Sequence, residues 1–207
     1  SSRPPGPPLH EDTGAIVTEE ERPCPPSTDA PRPARVRPID GHSEREVAWV
    51  ASRMRATLSE VIGPDEGQQM YSLQWLQARV RWHLDGSKCT GQVLLAERAN
   101  GEIIGHTIVR VERDEEGGDF GLFSTVYVAP DARNRLVGTV LLCHGEAWMR
   151  THGLSRAATY TASDNTKLIT LFEKHGYALS RSSRPDMVIL SRVLDGPATA
   201  TSNAVKS

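Results

Sequence analysis

Near the middle of the chain the run VYVAPDARNRLVGTVLL, Val126 to Leu142, opens as a strand and closes as a helix. Its valines and tyrosine favour extended backbone. Pro130 then withdraws a main-chain donor and ends strand pairing. Beyond it, Val137, Val140 and Leu141 recur at helical spacing. A strand feeding straight into a helix belongs to a fold that layers helices on a sheet.

The flanking patterns extend that layering. Arg35 to Pro38 reads as a first strand. Ser43-Glu44-Arg45-Glu46 is a capping box, followed by Val47, Val50, Ala51, Met54, Leu58, Val61 and Ile62 at helical spacing. Gly63-Pro64 stops that helix, and a second spans about Gln69 to Leu84. Gln92 to Glu97 and Ile103 to Glu112 flank Asn100-Gly101, a hairpin signal because both residues tolerate positive φ. A glycine-rich acidic turn at Arg113 to Asp119 leads to a strand at Phe120 to Val128. The helix after it, about Val137 to Met149, is expected to turn Val137, Val140, Leu141, His144, Ala147 and Trp148 inward. A strand at Arg156 to Ala162, a helix at Asn165 to His175 and an antiparallel pair at Tyr177 to Ser180 and Met187 to Val193 complete the chain. The order β-α-α-β-β-β-α-β-α-β-β predicts a single α/β (α+β) domain with a mixed sheet and helices on its faces.

Three regions are expected. Ser1 to Pro33 carries nine of the fourteen prolines and almost no apolar pattern, so it reads as a disordered Pro-rich lead-in. Residues 34–195 form the domain, and 196–207 a loose tail. A net charge of -2 gives no argument for nucleic acid or an anionic membrane surface. No apolar run approaches the roughly 18 residues of a membrane helix, and no secretory signal pattern opens the chain. Cys24, Cys89 and Cys143 are far apart and odd in number, which argues against a disulfide framework and fits a reducing cytoplasm. Cysteines and histidines show no metal-site spacing.

The turn from Arg133 to Thr139 is the chemical focus. The first turn of a helix has unpaired N–H groups and the positive end of the dipole, so a loop wrapping into it holds anions, above all phosphate. Arg133 and Arg135 add charge, Gly138 admits close backbone approach, and Thr139 adds a hydroxyl. Taken alone, the turn is equally well an ordinary strand-to-helix connection with solvated arginines.

Its company decides the reading. The pattern V-x-P-x-x-R-x-x-L-x-G-T is followed by NTKLITLFEKHGY, Asn165 to Tyr177. Together they resemble the GNAT superfamily of N-acetyltransferases, over about Arg35 to Leu194. The resemblance implies a mixed, mostly antiparallel GNAT-like sheet with a splayed central strand pair. It implies acetyl-CoA as co-substrate, with no metal. Arg133 takes the family's Arg/Gln position and Gly138 its second small position. Main-chain N–H groups of Arg133, Asn134, Arg135, Leu136, Val137, Gly138 and Thr139 are expected to hold the pyrophosphate of coenzyme A. The backbone of Val126 would face the thioester carbonyl, that of Val128 would pair with the pantetheine arm, and Asn165 would bond the same arm. Three departures stand out. The strand before Val126 carries Leu122, Ser124 and Thr125 where some members keep a carboxylate base. Leu136 replaces a motif glycine. Phe172, counted with the coenzyme site, replaces the tyrosine that in many members protonates the leaving thiolate, and phenylalanine has no proton to give.

Acyl transfer to an amine needs a neutral amine, a donor for the oxyanion and positioning; a thiol is already a fair leaving group. Tyr160 is the candidate acid, and Glu97 and His106 are candidates to drain the amine proton through water. His144 reads as a packed histidine. Tyr71, Trp75 and Trp82 either line an acceptor pocket or pack the second helix on the sheet. The acidic turn Asp114-Glu115-Glu116 either attracts a cationic amine or is simply solvated. The expected activity is direct transfer of an acyl group from acyl-CoA to a primary amine of a small molecule. Two readings stay open beside it: a coenzyme A-binding module without turnover, and a protein lysine or N-terminal acetyltransferase. The expected partner is a small-molecule amine, with no nucleic acid and no membrane; a homodimer is left open.

Overall fold

The computed structural model describes residues 34–62, 71–133 and 136–195. The Pro-rich lead-in and the tail, and with them the expected domain limits, lie outside the described residues, as do Asn134 and Arg135. Within them the order is β1 (Arg35–Pro38), α1 (Glu44–Ile62), α2 (Leu73–Leu84), β2 (Gly91–Glu97), β3 (Ile103–Arg113), β4 (Asp119–Val128), a 3₁₀ turn (Pro130–Ala132), α3 (Val137–Thr151), β5 (Arg156–Ala162), α4 (Thr166–Glu173), β6 (Ala178–Arg181) and β7 (Met187–Val193). The sequence-derived order holds throughout.

The strands form one seven-stranded sheet in the order β1-β2-β3-β4-β5-β7-β6. Every neighbouring pair is antiparallel except β4 and β5, which run parallel. Helices α1 and α2 cover one face through Val47, Val50, Leu76 and Val80 against Val93, Leu95 and Ile108. Helices α3 and α4 cover the other, where Leu142, Met149 and Phe172 meet Val109, Phe123 and Leu190. Gly145 lets α3 lie directly on Phe123, since a Cβ there would collide with the ring.

Two local sequences act otherwise than expected. Ser43 Oγ caps α1 by accepting from Glu46 N–H at 3.3 Å, as half of a capping box. The Glu46 carboxylate does not complete the box. It accepts from Asp40 N–H at 2.9 Å and pairs with Arg37 at 2.7 Å, a stronger, charge-assisted partner. The inward face of α3 is also rotated from expectation. It buries Val137, Leu141, Leu142, Gly145, Glu146 and Met149, whereas His144 and Ala147 are exposed.

Cys89 is a free, buried thiol. Cys143, half-buried on α3, is disulfide-bonded. Among the described residues no helix is long and apolar enough to cross a membrane, and no group of three or more His, Cys, Asp or Glu residues is placed to hold a metal ion.

Candidate active site

The site begins where the sheet comes apart. Strands β4 and β5 pair over Gly121–Ala157, Leu122–Ala158 and Phe123–Thr159, and no further. Thr159 Oγ1 closes the contact by donating to Phe123 O at 3.0 Å. Beyond it β4 continues for five more residues to Val128 and β5 for three to Ala162 without pairing. A bulge explains the parting. The register between β3 and β4 slips between Ile108 and Val109, leaving Ser124 as an extra residue on β4. A bulged strand bends and twists more sharply than its neighbours.

The bulge also sets which main-chain groups face the gap. Ala129 N–H bonds to Ile104 O at 2.8 Å. Counting back through the alternation of an antiparallel ladder, Tyr127 and Thr125 bond to β3, while Val126 and Val128 turn N–H and C=O towards β5. In that gap β5 offers them no partner. Val128 O accepts instead from Arg133 Nε at 3.1 Å.

Helix α3 opens immediately below. Its first intrahelical bond runs from Val140 N–H to Leu136 O at 2.9 Å, so the N–H groups of Val137, Gly138 and Thr139 precede the ladder. Among the described residues no side chain caps this end. Leu136, the cap residue, sits at φ 61° and ψ 5°, and among the described residues it is the sole non-glycine residue with positive φ. A left-handed leucine costs about 1–2 kcal/mol and is 66% exposed, so its side chain gains little in return. Leu136→Gly is therefore expected to raise stability by about 0.5–1 kcal/mol, after the added freedom of an unfolded glycine is subtracted. Urea unfolding measures it; a loss instead of a gain would show that the side chain itself holds the turn.

The other residues expected at a coenzyme site are already engaged. Thr139 Oγ1 lies 3.1 Å from His175 Nε2. Gly138 faces Leu171 and Val128, so its missing side chain leaves room for α4. Asn165 caps α4, accepting from Leu168 N–H at 3.4 Å and donating to Thr161 Oγ1 at 2.9 Å. Phe172 is fully buried, edge-on to Phe123 and Tyr177 at 5.4 and 4.8 Å between ring centres. It is a core residue with no outlet to the gap.

The candidate proton carriers fare unevenly. Glu97 is buried and bound to the Arg37 guanidinium, which also holds Glu46; that triad ties β1, β2 and α1 together. His106 is completely buried between Trp49 and Tyr127, with Nε2 3.2 Å from Thr125 Oγ1 and Nδ1 without a partner. Burial, and secondarily the charge of Arg53, push its pKa down to about 3. It is neutral at working pH and cut off from water, so it is poorly placed as the base the sequence suggested. Tyr160 is 46% exposed and is the first β5 residue past the last paired one. It lies on the same face of β5 as Ala158, which packs with Phe120 and Leu122.

An open cleft of about 440 Å³ lies on the α1 side of the end of β4, lined in part by Arg45, Trp49, Arg53, Tyr127, Glu102 and Asp131. Tyr71, Trp75 and Trp82 do not line it. Tyr71 and Trp75 pack on each other as a tilted pair with ring centres 4.9 Å apart, and Trp82 packs beside Arg79 and Arg110 at the far end of β3. The acidic turn is likewise remote from the cleft. It precedes β4, whose ten residues span about 30 Å. Asp114 there accepts from Gly118 N–H at 2.7 Å and pairs with Arg156. The residues that do line the cleft carried a signal: Arg45, Trp49 and Arg53 repeat every fourth position, off the apolar stripe of α1.

The sequence profile of the acetyltransferase (GNAT) family matches residues 54–177, more than half of the chain. The chain belongs to the GNAT family. The mycothiol acetyltransferase of Thermobispora bispora is 29% identical over 157 residues, which cover 73% of this chain and 49% of that protein. That of Acidimicrobium ferrooxidans is 26% identical over 172 residues, with 79% and 51% covered. The chain thus spans about half the length of these curated relatives. The structure of a PaiA N-acetyltransferase from Thermoplasma acidophilum in complex with coenzyme A shares the fold, with a TM-score of 0.62 at 14% identity over 77% of this chain and 98% of that one. The GNAT assignment joins the mixed sheet, the bulged β4 and the parted strand pair into one architecture.

Proposed function

We propose that residues 34–195 form an acyl-CoA-binding domain, and that the protein transfers an acyl group from acetyl-CoA directly to a primary amine of a small molecule in the cytoplasm. The observation that carries this reading is the gap itself: two strand residues, Val126 and Val128, present main-chain groups to it directly above a helix start that no described side chain caps. The relatives named mycothiol acetyltransferase support a small-molecule acceptor.

The residues fit the co-substrate. The free N–H groups of Val137, Gly138 and Thr139, with Arg133 beside them, suit a diphosphate. Val126 N–H is free to donate to an oxyanion, and Val128 to an extended arm laid along β4. Acetyl-CoA brings the thioester. The amine must lose its proton, and neither Glu97 nor His106 is free to take it, so water in the cleft is the acceptor. Tyr160, exposed on β5 just past its last rung to β4, is the candidate acid, and the thiol leaves acceptably without one.

Calorimetry with acetyl-CoA on the parent and on Arg133→Ala tests the reading. Binding by the parent and a loss of about tenfold in the variant, roughly 1.4 kcal/mol, are expected. No binding by the parent would remove the proposal. Binding with no thiol release across a panel of amines would leave a coenzyme A-binding module, and release with peptides alone would favour a protein acetyltransferase.

A further inference from the structure

The cleft at the end of β4 has an unbalanced charge. Its two acids, Glu102 and Asp131, both pair with Arg98, which does not line the cleft. Its two arginines, Arg45 and Arg53, form no salt bridge among the described residues. Arg53 Nε is moreover buried with no hydrogen-bond acceptor. The guanidinium is held sideways by two rings, its Cζ 5.3 Å from the centre of Trp49 and 5.9 Å from that of Tyr127. Ring faces steady a cation but accept none of its N–H donors in the plane. Arg53 is half-buried in the cleft wall, with one buried donor left idle, and the planar fork of a guanidinium so placed matches a carboxylate through two parallel bonds.

We propose that the acceptor amine carries a carboxylate, as an amino acid does, and that Arg53 binds it, with Arg45 adding charge alongside. This rests on the acyl-transfer reading and narrows it. It also reverses the electrostatics expected from the acidic turn, which lies at the other end of β4. The arrangement serves the chemistry as well as recognition. A nearby positive charge disfavours the ammonium form, and so raises the share of amine able to attack. Burial first, and the charge of Arg53 second, lower the pKa of His106.

The test compares each of the twenty amino acids with its own C-terminal amide, which keeps the side chain and removes the charge. Binding is read by tryptophan fluorescence without acyl donor, and turnover by thiol release with acetyl-CoA. At least one acid is expected to bind ten times more tightly than its amide. Arg53→Gln is expected to bring the two within twofold, and Arg53→Lys, which keeps the charge and guards against a folding defect, to retain part of the preference. Amides binding as well as acids, no binding by any acid, or a preference that survives Arg53→Gln would each overturn the proposal. So would selective binding of aminophosphonates, which would assign the arginine to phosphate instead. Turnover of amides alone sinks the carboxylate site and leaves acyl transfer standing. A carboxylate preference in binding with no turnover does the reverse.

Discussion

Glu146→Ala is expected to cost the fold about 3–5 kcal/mol, the loss typical of a buried charge network deprived of one member. Glu146 is 2% exposed near the middle of α3. It accepts from Tyr177 O–H at 2.9 Å and from Arg150 Nη2 at 3.1 Å, and Arg192 Nη1 lies 3.6 Å away. Removing the carboxylate strands a buried phenol and leaves two guanidiniums without their common counter-charge. Burial, reinforced by the carboxylate beside it, drives the Tyr177 pKa far up, so the phenol stays a donor at every working pH. The damage reaches the N-terminal end of α3. Arg192 also donates to His175 O at 2.9 Å, and His175 holds Thr139 in the first turn of that helix. For a domain of this size the melting temperature is expected to fall by about 10 °C. A loss under about 1 kcal/mol would mean that the desolvation of Glu146 already cancels its contacts.

Acid is expected to unfold the protein through two histidines well before its carboxylates titrate. His83 and His106 are both buried, and burial pushes both pKa values down to about 3. Nearby arginines add to the effect: Arg79 and Arg110 for His83, and Arg53 for His106. In the unfolded chain each ring takes up a proton near pH 6.5. Between about pH 6.5 and 3 the unfolded state therefore binds more protons than the folded one, so stability falls as pH falls. Each ring contributes on the order of 2 kcal/mol of loss between pH 7.5 and 5. Urea midpoints measured from pH 7.5 to 5 should drop with a slope approaching two protons below pH 6. A slope below one proton would show that at least one ring is charged in the fold.

The order of elements was legible because each has its own period and its own punctuation. Asn165 announced α4 as a cap, and Pro130 the end of β4. The rotated face of α3 was not legible, for a definite reason. Two of its buried positions, Gly145 and Glu146, are not apolar. One is buried because Phe123 needs the space, and the other because three partners from α3, β7 and the segment after α4 converge on it. A pattern of hydrophobicity assigns such positions to solvent and turns the helix accordingly. The bulge at Ser124 has no local mark either, since an extra residue in a strand reads as one more residue. The roles of Glu97 and His106 depended on Arg37 and on the rings of Trp49 and Tyr127, contacts between residues far apart in the chain.

Three rungs between β4 and β5 are the direct strand pairing across the middle of the sheet. The four strands on one side and the three on the other meet at a seam that is half unstitched. An extended molecule lying in it would complete the missing stitches on β4, so the guest would act as a temporary eighth strand. Occupancy and the stiffness of the whole sheet are then one equilibrium seen from two sides.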